Sequence, residues 1–136
     1  MGNVFAEITV KNVKDMGLAQ DGHITENNIR SVTLNAIVDT GATTLVIDEE
    51  IFKQLGLSVV KTRNINLAGG GKTECKITDA VHIQWKDHFA VVNAAVLPDG
   101  KPLLGVIPLE FMDLMVDLVN RELVGVHGEH AELMAM

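Results

Sequence analysis

At 136 residues, 47% apolar and 21% charged, the chain is long enough for one domain around a substantial core. A net charge of −7, with cations such as Lys61, Arg63, Lys72 and Lys76 scattered, leaves no basic stripe for phosphates and argues against nucleic-acid or anionic-membrane binding. There is no long apolar span, no signal-peptide pattern at Met1–Glu7, Ala6 where a myristoylation signal needs Ser or Thr, and a single cysteine, Cys75; a cytoplasmic protein with no membrane role and no internal disulfide is expected.

Strand signals dominate the chain. Val4, Ala6, Ile8 and Val10 alternate with Phe5, Glu7 and Thr9, the period-two pattern of a half-buried strand. Asp15 to Asn28 is polar, carries Gly17 and Gly22, and is expected to be a loop or a long hairpin. Val32, Leu34, Ala36 and Val38 alternate again, and Leu45-Val46-Ile47 is a further apolar strand. Asp48 has the chemistry of a helix N-cap, with Glu49 and Glu50 in the first turn, an apolar face from Ile51, Phe52 and Leu55, and Gly56 as the stop.

Short strands are then expected at Val59-Val60 and Ile65 to Leu67, followed after Gly69-Gly70-Gly71 by Cys75 to Ile77 and Val81 to Trp85. Asp87-His88 suits a turn, Phe89 to Leu97 a long strand, and Pro98-Asp99-Gly100 another turn. Leu103-Leu104-Gly105 is a short apolar run ending in glycine, after which Pro108 is expected to open a helix. Asp117 to Val119 and Leu123-Val124, about Asn120-Arg121, suggest a final hairpin. The domain is expected to span 1–126, with 127–136 a loosely ordered tail. The chain thus repeats itself approximately: each half brings an apolar strand to a glycine and then a short helix.

The chemistry concentrates at Ala36-Ile37-Val38-Asp39-Thr40-Gly41-Ala42-Thr43. A carboxylate directly after a β-branched apolar run leaves the interior rather than a solvated surface. Asp-Thr-Gly is also ordinary turn chemistry. A phosphatase-type nucleophile would want a second acid two residues on, where Gly41 stands. His127, Glu129 and His130 could suggest a metal site, but a solvated tail is the better reading, and no metal or other cofactor is expected. His82 and His88 are expected to be structural or exposed. Cys75 is expected to face the interior as a small apolar residue, and Trp85 to lie in the core or an interface.

Taken in order, the motifs resemble those of the retropepsin-like aspartic proteases of the single-domain, retroviral type also found in prokaryotes. Residues 36–43 match the family's apolar-apolar-Asp-Thr-Gly-Ala signature, Gly69-Gly70-Gly71 falls where the family has its flap hairpin, and Leu103-Leu104-Gly105 matches the second half-motif. The absence of tyrosine removes the flap tyrosine of two-lobed pepsins. The resemblance spans Val32 to Leu114 and implies a mainly β fold, a closed single-lobe barrel with two short helices. It implies an aspartic endopeptidase in which Asp39 is catalytic, Thr40, Gly41 and Ala42 support it, and Gly69 to Gly71 cover a peptide or protein substrate. Since one chain has one such Asp, the partner acid is expected from Asp39 of a second copy in a symmetric homodimer. A dimeric peptide-binding domain without turnover is the alternative. Thr43 and Val106 stand where retroviral members carry a paired acid and arginine, so the dimer contact is expected to be built differently. Val46, Ile65, Leu67, Val106 and Ile107 are candidates for the cleft walls.

Overall fold

The computed structural model describes residues 3–66, 69–98 and 100–127. The fold is mainly β, as the alternation of apolar residues requires. Strand β1 (Val4–Asn12) buries Val4, Ala6, Ile8 and Val10 on one face and pairs antiparallel along its length with β2 (Ser31–Val38). The chain continues through β3 (Leu45–Ile47), β4 (Val59–Asn66), β5 (Lys72–Trp85), β6 (His88–Val96) and β7 (Leu103–Leu104). These strands form one seven-stranded sheet in the order β1-β2-β7-β3-β6-β5-β4. The C-terminal part of β5 also pairs with β1, Val10 opposite Ile83, and this closes six strands into a ring from which β4 projects with the first half of β5. Closure removes most free sheet edges.

The ring encloses a single core in which Ile8, Leu45, Ile47, Leu55, Ile83 and Leu104 are fully buried; each such side chain contributes roughly 1.5–3 kcal/mol. Helix α2 (Glu49–Gln54) starts on Asp48, whose carboxylate accepts from the Ile51 amide, and stops at Gly56, where φ is +62°. A two-stranded sheet, β8 (Leu114–Asp117) with β9 (Glu122–Gly125), follows the barrel. Among the described residues, no helix is long and apolar enough to cross a membrane.

Several expectations need correction. Asp15 to Asn28 is not a loop: residues Val13–Gln20 form a helix, α1, and Glu26–Asn28 a 3₁₀ turn. The described residues therefore hold a third α-helix beyond the two expected. Buried Asn12 caps α1 by accepting from the Asp15 amide while its side-chain amide donates to the Leu55 carbonyl. Buried Asp15 in turn accepts from the backbone and the guanidinium of Arg30, tying α1 to the start of β2.

Val59-Val60 and Ile65 belong to one strand, β4; Leu67 lies outside the described residues, as does Asp99 of the turn at 98–100. Cys75 to Ile77 and Val81 to Trp85 are likewise one strand, β5, with a register shift between Ile77 and Ala80. At that irregularity buried Thr78 uses its hydroxyl, which donates to the Asp79 carbonyl and accepts from the Ala94 amide. His88 is the buried first residue of β6, not a turn residue, and its Nδ1 lies 2.7 Å from the Met112 carbonyl oxygen.

Helix α3 (Val106–Phe111) begins two residues before Pro108. Pro108 sits within its first turn, where a missing N–H leaves no helical bond unmade. The last hairpin turns at Leu118 to Arg121, so Leu118 and Val119 are loop residues; the Asp117 carboxylate organises the turn by accepting from the Val119 and Asn120 amides. The tail at 128–136, with Glu129 and His130, lies outside the described residues.

Candidate active site

Asp39 occupies the first position after β2, half-buried at the rim of the ring. Its placement depends on strand β7, which threads between the two arms of the chain that flank the acid. β7 is parallel to β2, with Ile37 opposite Leu103 and Val38 opposite Leu104, and antiparallel to β3, with Leu45 opposite Leu104. The Asp39 amide donates to the Leu104 carbonyl at 3.0 Å, so the backbone of the acid is fixed by the second apolar-apolar-Gly run. The two halves of the approximate repeat therefore meet at one place.

From Asp39 the chain turns tightly. The Ala42 amide donates to the Asp39 carbonyl at 3.0 Å, and the Gly41 amide donates to Oδ1 of the Asp39 carboxylate at 2.9 Å. This second bond holds Oδ1 in place and leaves Oδ2 without a hydrogen bond from the described residues. A Cβ on Gly41 would lie 3.1 Å from that same Oδ1. Thr40 and Thr43 are exposed, and Ala42 is half-buried.

Gly105 is the floor of the loop. A Cβ there would meet the Ala42 carbonyl oxygen at 2.6 Å and the Thr44 amide at 2.7 Å, so the two backbones approach as only glycine allows. The start of α3 then donates back: Val106 N–H to the Ala42 carbonyl and Ile107 N–H to the Thr43 carbonyl, both at 2.9 Å. At Thr43 and Val106, where an acid and an arginine would pair in the retroviral pattern, backbone hydrogen bonds join loop to helix. Thr44 completes the turn by donating its hydroxyl to the Asn93 carbonyl at 2.8 Å.

The structure thus brings Asp39, Thr40, Gly41 and Ala42 together with Leu103, Leu104 and Gly105. The three glycines Gly69, Gly70 and Gly71 lie elsewhere, at the end of the β4–β5 hairpin, whose last pair is Asn66 with Lys72. They are exposed; a Cβ on Gly69 or Gly70 would meet nothing within 4 Å, and Gly70 has a φ of +91°. Of the expected cleft walls, Val46 is buried, and Val106 and Ile107 line two separate cavities.

One cavity, of about 460 Å³, lies beside the loop and is lined by Val4, Val38, Thr40, Val106, Leu109 and Met115, among others. The other, of about 390 Å³, is bordered by Thr44 and by two cations on β4, Lys61 and Arg63. The reading of the chain as a string of scattered lysines and arginines missed that grouping. Its only sequence signal was the spacing of 61 and 63, which places both on one face of a strand. Cys75 is buried, and desolvation raises its thiol above the usual range. His127 reaches the Asp113 carboxylate, 2.7 Å away. Among the described residues no group of three or more His, Cys, Asp or Glu side chains is arranged to hold a metal ion.

A family model described as Aspartyl protease matches residues 25–111, which include every part of the loop and its floor. No curated protein matches the chain.

Proposed function

The chain belongs to the aspartyl protease family, and from this premise we infer that it is an aspartic endopeptidase whose active form is a symmetric homodimer. The observation that carries the inference is the half-buried Asp39, fixed through its backbone and one carboxylate oxygen, with the other oxygen unbonded within the described residues. The second half-motif, Leu103-Leu104-Gly105, contributes a floor and no acid. A two-fold axis beside Asp39 supplies the missing carboxyl, because an isologous contact brings any residue near the axis to its own mate. Two features favour that placement. Thr40 is exposed and its hydroxyl has no partner among the described residues of its own chain. The neighbouring cavity has apolar walls from β1, β2, α3 and β8, the kind of surface a second copy would cover.

In such a dimer the two carboxyls share one proton, since like charges this close cannot both ionise, as in aspartic proteases at large. The ionised Asp39 takes a proton from water as the water oxygen attacks the scissile carbonyl carbon. The protonated Asp39 of the other copy gives its proton to the carbonyl oxygen, and a tetrahedral diol forms. Collapse of the diol breaks the C–N bond as one diol hydroxyl gives its proton to the ionised Asp39 and the protonated Asp39 gives its proton to the amine nitrogen, which leaves the dyad again sharing one proton. The Gly41 amide holds one oxygen of the carboxylate and leaves the other to face the second acid. The substrate lies extended, with Gly69 to Gly71 closing over it from the β4–β5 hairpin.

The test is Asp39→Asn. It should retain the melting temperature and the sedimentation of the wild-type dimer and abolish cleavage of a denatured protein such as casein. Cleavage by the purified variant at the wild-type rate, or a wild-type chain that remains monomeric while cleaving, overturns this reading.

A further inference from the structure

The cavity of about 390 Å³ is cationic in a chain whose net charge is −7. Lys61 and Arg63 lie two apart on β4 and so share a strand face, with Ile77 directly across from Lys61 on β5. Their wall is completed by Thr44, Asn93 and Phe111. No acidic residue lines the cavity among the described residues. The neighbouring cation on β5, Lys76, is already engaged, 2.8 Å from the Glu49 carboxylate and over the Phe52 ring. The side chains of Lys61 and Arg63 have no ion-pair or hydrogen-bond partner among the described residues. Two unpaired cations over an apolar floor, with Phe111 65% exposed, form a site whose charge is unanswered among the described residues.

The position of the cavity connects it to the loop of Asp39. Thr44 is the continuation of that loop, and Ile107, which also lines the cavity, donates its amide to the Thr43 carbonyl. The opposite wall is β4, one arm of the hairpin that ends at Gly69 to Gly71. The cavity thus lies between the continuation of the Asp39 loop and an arm of the hairpin that the proteolytic reading places over the substrate.

We propose that this cavity is a specificity subsite that takes an acidic side chain of the substrate, a few residues from the scissile bond, on Lys61 and Arg63. The inference rests on the proteolytic reading above. The aliphatic part of a glutamate would pack on Ile77 and Phe111, and its carboxylate would lie between the ammonium and the guanidinium. Because both cations are exposed, the expected preference is moderate, about three- to tenfold, and it weakens as salt rises.

The experiment is digestion of a proteome-derived peptide library by the wild-type protein, by Lys61→Gln/Arg63→Gln and by Lys61→Glu/Arg63→Glu. Wild-type cleavage sites should be enriched about three- to tenfold in Asp or Glu at one fixed distance from the cut. The enrichment should vanish in the Gln pair and turn to Lys or Arg in the Glu pair. Cleavage with no acidic preference, or a preference that survives both double substitutions, overturns this proposal and leaves the proteolytic reading standing. A wild-type dimer that cleaves nothing overturns the proteolytic reading, and the subsite falls with it.

Discussion

Gly105→Ala probes the architecture of the site through a single methyl group. That methyl would sit 2.6 Å from the Ala42 carbonyl oxygen and 2.7 Å from the Thr44 amide nitrogen, and closer still to the Thr44 carbonyl oxygen. All three are backbone atoms, so no side chain can rotate away. Ordinary contact lies near 3.5 Å, and one of the two chain segments must therefore move by roughly 1 Å. Overpacking of this kind costs about 1–3 kcal/mol. The movement also stretches the bonds from Val106 to Ala42 and from Ile107 to Thr43, each about 1 kcal/mol. The sum is about 3–5 kcal/mol, which for a chain of this size lowers the melting temperature by roughly 10–20 °C. Because the displaced segment carries Asp39, cleavage should fall by about a hundredfold even below the melting transition. Thermal melts followed by circular dichroism, with peptide cleavage measured at 20 °C, check both parts. A variant that melts within about 3 °C of wild type and cleaves normally would refute the close approach on which the loop geometry rests.

Gly41→Ala should behave differently, because its methyl meets only the Asp39 Oδ1, at 3.1 Å. Stability should change by less than about 1 kcal/mol while kcat/KM falls at least about tenfold, so an unaltered kcat/KM would remove the orienting role of that glycine. Asp15→Ala removes three hydrogen bonds to Arg30, whose guanidinium is half-exposed and can be rehydrated, and should cost about 2–3 kcal/mol in urea unfolding. The same pair predicts a pH dependence. Hydrogen bonding from Arg30 holds the Asp15 carboxyl below its usual range. A depressed value means that its contribution is complete above about pH 4 and is lost as pH falls from there through the lowered value. Wild type should therefore lose more stability than Asp15→Ala between pH 5 and pH 2.5, and parallel losses would refute the assignment.

The sequence made the Asp39 loop legible because its chemistry is local: an acid after a β-branched run, then Thr-Gly, needs no distant information to be noticed. Its floor was visible only through the resemblance, since nothing in the periodicity of Leu103-Leu104-Gly105 says that it pairs with Ile37 and Val38. Helix α1 was hidden for the opposite reason. Its composition is that of a loop, and what makes it a helix is a cap from Asn12 and an anchor from Arg30, both set by tertiary packing. β4 gave no alternating signal because nearly all of it is exposed on both faces, so its length could not be read from apolar spacing. The gap read within β5 has a physical counterpart in its register shift, where Thr78 turns inward to bond the backbone.

The placement of β7 between β2 and β3 has a consequence for biosynthesis. Asp39 leaves the ribosome long before Leu104 and Gly105, and until they follow, its loop has neither the Leu104 carbonyl to hold its amide nor α3 to bind Ala42 and Thr43. Such distant pairing is slow to form and comes late. In a nascent chain the Asp39 loop is therefore held in place only once β7 and α3 have followed it.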